Sequence, residues 1–96
     1  MFIFRLTYRK PLAEVEKYLQ AHRDYLENFY KNGKFIASGP QEPRVGGIIL
    51  CNTNDIEEAI KIYQSDPFYL NDIADYELIH FHATKHNTAN FEDSLE

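Results

Sequence analysis

The sequence predicts an α+β domain, a four-stranded antiparallel sheet with two helices on one face. Three observations carry this. Two terminal stretches alternate side chains at the two-residue period of a strand. Two internal stretches carry apolar residues at helical spacing. Between those helices lie two short runs joined by a Gly/Pro loop, the pattern of a hairpin. The order β-α-β-β-α-β, with right-handed crossovers, gives the ferredoxin-like arrangement.

Met1 to Tyr8 places Phe2, Phe4, Leu6 and Tyr8 on one side and Ile3, Arg5 and Thr7 on the other. Arg9-Lys10-Pro11 breaks this strand, and Pro11 suits a first helical position. Leu12, Val15, Leu19, His22, Leu26 and Phe29 then form the stripe of a long amphipathic helix running to about Asn32. Glu14, Glu16, Lys17, Gln20, Arg23, Asp24 and Glu27 fall off that stripe and are expected to face water. Gly33 is the expected stop, in the left-handed conformation.

Lys34 to Ser38 is a second strand, ended by Gly39-Pro40, and Val45 to Cys51 a third. Asn54, with Glu57 three residues on, is the expected cap of a second helix whose apolar face is Ile56, Ala59, Ile60 and Tyr63. Pro67 pushes Asp66 out of the helical region and ends it. Phe68-Tyr69-Leu70 is expected to add a short helical turn, and Asp75 to about Lys85 alternates as the last strand. Residues 1–86 are therefore expected to form one domain, and residues 87–96 a polar, flexible tail.

A chain of 96 residues buries a limited core. The helices cover one face of the sheet, so apolar groups on the other call for a second copy, and a homodimer is expected. A net charge of −5 with no cluster of Lys and Arg argues against nucleic acid. No polybasic segment or long apolar span points to a membrane, and no leader is recognisable, so a cytoplasmic protein is expected. The single cysteine, Cys51, lies in the apolar run Ile48-Ile49-Leu50-Cys51 and reads as a buried thiol.

His22 is the leading candidate for chemistry, a titratable ring placed in the middle of an apolar stripe. It is either a core histidine with satisfied nitrogens or a general acid/base in a pocket between helix and sheet. Asp66 is its natural carboxylate partner, unless it serves only as a turn aspartate bonded to its own backbone. Ser38 and Gly39 can offer a hydroxyl and a close backbone approach to a ligand, or can simply end a strand. His80 and His82 form a possible metal pair, but no second ligand pair stands at a recognisable spacing, and surface histidines are the plainer reading. No Gly-rich phosphate loop or nucleophile elbow is present.

These pieces together resemble the YCII-related (YciI-like) family over about residues 1–85. The likeness rests on His22-Arg23-Asp24-Tyr25-Leu26, Gly33, Ser38-Gly39-Pro40, Glu57-Glu58-Ala59 and Asp66-Pro67-Phe68, in that order. It implies a ferredoxin-like protomer forming a dimeric α+β barrel, with an active site at a His-Asp pair, here His22 and Asp66. Relatives of the fold include muconolactone-isomerase-like enzymes, and a dechlorinating activity in aromatic breakdown is associated with related members. The short loop between the second and third strands departs from relatives that carry a lid there.

The resulting expectation is an acid/base enzyme without metal or organic cofactor, acting as a dimer on a small organic molecule. His22 would move the proton and Asp66 would orient it. Ser38, Gly39, Tyr8 and Phe68 would line the pocket. The rival readings are a non-catalytic metabolite-binding dimer and an interaction or structural protein with a satisfied core histidine.

Overall fold

A computed structural model describes residues 1–86. Strand β1 (Phe2–Tyr8) is followed by helices α1 (Leu12–Lys17) and α2 (Leu19–Lys31), then strands β2 (Phe35–Pro40) and β3 (Gly46–Cys51). Helices α3 (Ile56–Gln64) and α4 (Pro67–Leu70) precede β4 (Ala74–His80). The sheet has the order β2-β3-β1-β4, with every pairing antiparallel. This is the α+β arrangement that the alternation and helical spacing predict.

The two faces differ sharply along β1. Phe2, Phe4 and Leu6 are buried, whereas Arg5 and Thr7 are exposed. Cross-strand partners on the helix side of the sheet include Ile49 opposite Phe4 and Tyr76 opposite Leu6. Phe35, Ile62, Phe68 and Ile73 complete the core around them. On the open side lie Ile3, Ile48 and Leu50, an ion pair between Arg5 and Glu77, and Ile79, which is 43% exposed.

The long first helix is broken at Tyr18, which ends α1 and begins α2 with φ −106° and ψ 3°. The buried stripe is also shifted from the one predicted. Leu12 is 44% exposed, while Tyr25 is 6% exposed and belongs to the core. Tyrosine buries a large apolar ring once its hydroxyl finds a partner, and the Tyr25 hydroxyl donates to the Ile62 carbonyl at 2.8 Å. The core-facing line is therefore Val15, Tyr18, His22, Tyr25 and Phe29, and Leu19 and Leu26 flank it.

Gly33 adopts φ +81° just past α2, as the stop requires. Asp55, not Asn54, caps α3, its carboxylate accepting from the Glu57 and Glu58 N–H groups at 2.9 and 3.4 Å. β2 continues through Gly39 to Pro40, which a sheet edge tolerates because no ladder bond is needed on its outer side. β4 stops at His80 rather than near Lys85. Its partner β1 begins at Phe2, opposite His80, and only Met1 lies beyond it, exchanging bonds with Phe81 at 2.9 and 3.0 Å before the pairing runs out. The expected tail, residues 87–96, lies outside the described residues.

Candidate functional site

The site begins with the short link between α3 and α4. Asp66 is the N-cap of α4, its Oδ1 accepting the Phe68 N–H at 2.9 Å, with Pro67 at the first helical position. That cap turns the Asp66 side chain inward, where it is fully buried. The Asp66 carboxylate meets two further donors there. Nδ1 of His22, on α2, lies 2.8 Å from Oδ1, and the Tyr76 hydroxyl of β4 donates to Oδ2. A buried carboxylate is costly unless hydrogen-bonded, and both of its oxygens are engaged.

The bond assigns the imidazole. A carboxylate only accepts, so Nδ1 carries the hydrogen and Nε2 is the bare nitrogen of the neutral ring. His22 has 12% of its side chain exposed, and no buried side-chain nitrogen or oxygen among the described residues lacks a partner. Nε2 therefore opens to the cleft that His22 lines. The ring is held flat against Phe68, with centroids 4.1 Å apart and planes 2° from parallel. Stacking fixes the ring's tilt and the carboxylate fixes its rotation, which leaves the imidazole one pose.

Behind the pair are two phenols, Tyr25 buried and Tyr76 half-buried. Burial, and then the Asp66 charge, pushes the Tyr76 hydroxyl far above the usual phenol range, and the same two causes raise Tyr25. Both stay protonated, so Tyr76 remains a donor to Asp66 at any ordinary pH.

The cleft has a volume of about 550 Å³ between α2 and the β2-β3-β1 surface. Leu19, Arg23 and Leu26 share its helix side with His22, and Phe68 and Tyr8 close one end. Leu6, Ile49 and Ser38 contribute from the sheet. Gly47 stands between Leu6 and Pro40 in the strand register, on the helix-facing side. The missing side chain there leaves room on the cleft floor; a Cβ would come 3.2 Å from the Gly39 carbonyl oxygen. Ser38 Oγ pairs with the Tyr30 hydroxyl at 2.6 Å.

Of the residues singled out from sequence, His22, Ser38, Gly39, Tyr8 and Phe68 all line this cleft, and Asp66 lies directly behind His22. The backbone at Gly39 stands open beside the cleft, whereas Gly46 is pressed against β1. A Cβ on Gly39 would meet nothing within 4 Å, whereas one on Gly46 would lie 1.7 Å from the Leu6 carbonyl oxygen. His80 and His82 are remote neighbours of each other, with ring centroids 5.1 Å apart. Among the described residues no three His, Cys, Asp or Glu side chains converge to hold a metal ion. Sequence reasoning missed Tyr76, Glu16, Arg23 and Arg44. Only the place of Tyr76 on the helix-facing side of β4 could have signalled its role.

A family model, the YCII-related domain, matches residues 1–82. The chain belongs to the YCII-related family. Among solved structures, this YCII-related chain is similar to the 5-chloro-2-hydroxyhydroquinone dehydrochlorinase TftG of Burkholderia phenoliruptrix AC1100 in complex with 2,5-dihydroxybenzoquinone. That likeness spans 93% of this chain and 98% of the other, with a TM-score of 0.70 and 18% identity, and shows a shared fold. No curated protein matches the sequence. No helix among the described residues is long and apolar enough to cross a membrane.

Proposed function

We propose that this YCII-related protein is a small-molecule enzyme in which His22 moves a proton to or from a substrate seated in the cleft. The observation that carries the reading is the division of the imidazole, with Nδ1 on a buried carboxylate and Nε2 toward the cleft. A neutral His22 takes a proton from a substrate C–H or O–H at Nε2. The resulting imidazolium keeps its Nδ1–H on Asp66, whose negative charge stabilises it. The proton then returns to another substrate atom in an isomerisation, or leaves with a departing anion in an elimination. Neither course needs an oxidant, reductant or co-substrate.

The family and the fold neighbour support a small-molecule role, since that neighbour is a dehydrochlorinase bound to a dihydroxybenzoquinone. In this reading Phe68 and Tyr8 pack the apolar part of the substrate, while Ser38 and the Gly39 backbone meet its polar edge. The protein acts as a homodimer through the open side of the sheet, where Ile3, Ile48, Leu50 and Ile79 have no helix over them among the described residues. Sedimentation at micromolar concentration is expected to give twice the chain mass, and a monomer would contradict the dimer.

Turnover of a panel of hydroxylated and halogenated aromatics and small lactones tests the catalytic reading. His22→Asn and Asp66→Asn are each expected to lower kcat by roughly a hundredfold or more with the circular dichroism unchanged. Undiminished turnover in both would sink the acid/base role. Saturable binding without turnover of any candidate would make the cleft a binding module.

A further inference from the structure

The ionisable side chains around the cleft run against the charge of the chain. The protein carries a net charge of −5, yet two arginines, Arg23 and Arg44, line the cleft against a single acid, Glu16. Arg44 and Glu16 face each other at 3.9 Å, a loose contact between exposed groups. Arg23 has no carboxylate partner among the described residues, although it follows His22 directly on α2 and shares the cleft with it. An unpaired guanidinium beside an apolar cavity is a ready anion receptor, because its planar fork matches the two oxygens of a carboxylate or enolate.

The rest of the lining sets the body of that anion. Leu6, Leu19, Leu26, Ile49 and Phe68 are apolar, and Asp66 is buried behind His22 with both oxygens engaged. Asp66 therefore does not compete for Arg23. We propose that the cleft selects small organic acids with an apolar body, their carboxylate or enolate oxygens held by Arg23. Arg44 closes the mouth against Glu16. The substrate's acidic edge is thereby turned toward the α2 wall, beside Nε2 of His22. This inference rests on the cleft's proposed role and names the chemical class it takes.

Benzoate and its neutral isostere benzamide separate charge recognition from shape. Titrated into the isotopically labelled chain and followed by amide NMR, benzoate is expected to shift the resonances of His22, Arg23, Leu26 and Gly39 saturably. Benzamide is expected to bind at least about tenfold more weakly. Arg23→Gln, on an exposed helix position, is expected to remove that difference by weakening benzoate alone. Equal affinities for the two probes overturn the proposal, as does benzoate binding unchanged by Arg23→Gln, or shifts confined to residues outside the cleft. Failure of the acid/base reading shows separately, as turnover retained in His22→Asn, which benzoate affinity does not report.

Discussion

The Tyr76 hydroxyl donates to Oδ2 of Asp66, and this bond leaves Oδ1 to His22 and the Phe68 N–H. The phenol thus serves the imidazole through the carboxylate, from strand β4. Tyr76→Phe removes the donor and leaves a buried carboxylate oxygen unpaired. A loss of about 1–3 kcal/mol is expected in urea denaturation. The His22 ring resonances should also move, because the carboxylate is free to rotate. An unchanged midpoint would mean that Asp66 finds another donor.

Phe68 has two attachments to the same pair, its N–H on Asp66 and its ring flat on His22. Phe68→Leu keeps the backbone bond and most of the buried volume but loses the stack. It is expected to cost about 1–2 kcal/mol. The His22 carbon-bound protons should move downfield in the proton spectrum as the ring current of Phe68 disappears. If they stay in place, the two rings are not stacked in solution.

Gly46 is fixed by sterics, not by conformation. Its Cβ position overlaps the Leu6 carbonyl, so Gly46→Ala is expected to push β3 away from β1 at a cost of about 1–3 kcal/mol, read as a lower thermal midpoint. Gly39→Ala, with open space at its Cβ, is the matched control and should leave that midpoint nearly in place. Equal effects from both would remove the distinction between the two glycines.

Alkaline stability follows from three weak acids that the fold withdraws from water, Cys51 and Tyr25 fully and Tyr76 in part. Burial pushes the Cys51 thiol up to about 11, and burial with the Asp66 charge carries Tyr25 and Tyr76 higher still. A group whose folded value is raised favours the native state fully below its unfolded value, and that contribution is lost as pH rises. With ordinary thiol and phenol values of about 8.5 and 10 in the unfolded chain, the urea midpoint is expected to hold to about pH 8.5 and fall beyond it. Phenolate absorbance should show two of the seven tyrosines ionising only on unfolding. A midpoint flat to about pH 11 would contradict the raised values of all three.

Much of the architecture was legible because it depends on local spacing. Alternation along Phe2 to Tyr8 and the Gly/Pro loop between Ser38 and Val45 each specify an element without reference to distant residues. The prediction slipped where a residue has two characters. Tyr25 lies off the predicted stripe, though its ring is core and only its hydroxyl needs a partner. Asn54 and Asp55 are both competent caps, and the choice fell to Asp55 through the path of the chain into α3.

The site was legible only in part. His22 stood out as a titratable interruption of an apolar stripe, but its bond to Asp66 joins residues 44 positions apart, which periodicity cannot see. Tyr76 looked like any strand aromatic, and Arg23 like any solvated helix cation. Their roles come from what the fold places opposite them. Arg23 flanks a cavity that Gly47 also lines, without a side chain of its own.

The account turns on one proton, and the nitrogen shifts of the His22 ring locate it. In a long-range proton–nitrogen correlation spectrum of the neutral ring, Nδ1 is predicted to be protonated on Asp66 and Nε2 bare. Asp66→Leu, which cannot accept a hydrogen bond, should abolish that preference. A neutral His22 protonated at Nε2, or the same tautomer mixture with and without Asp66, would contradict the claim that the carboxylate presents Nε2 to the cleft as a base.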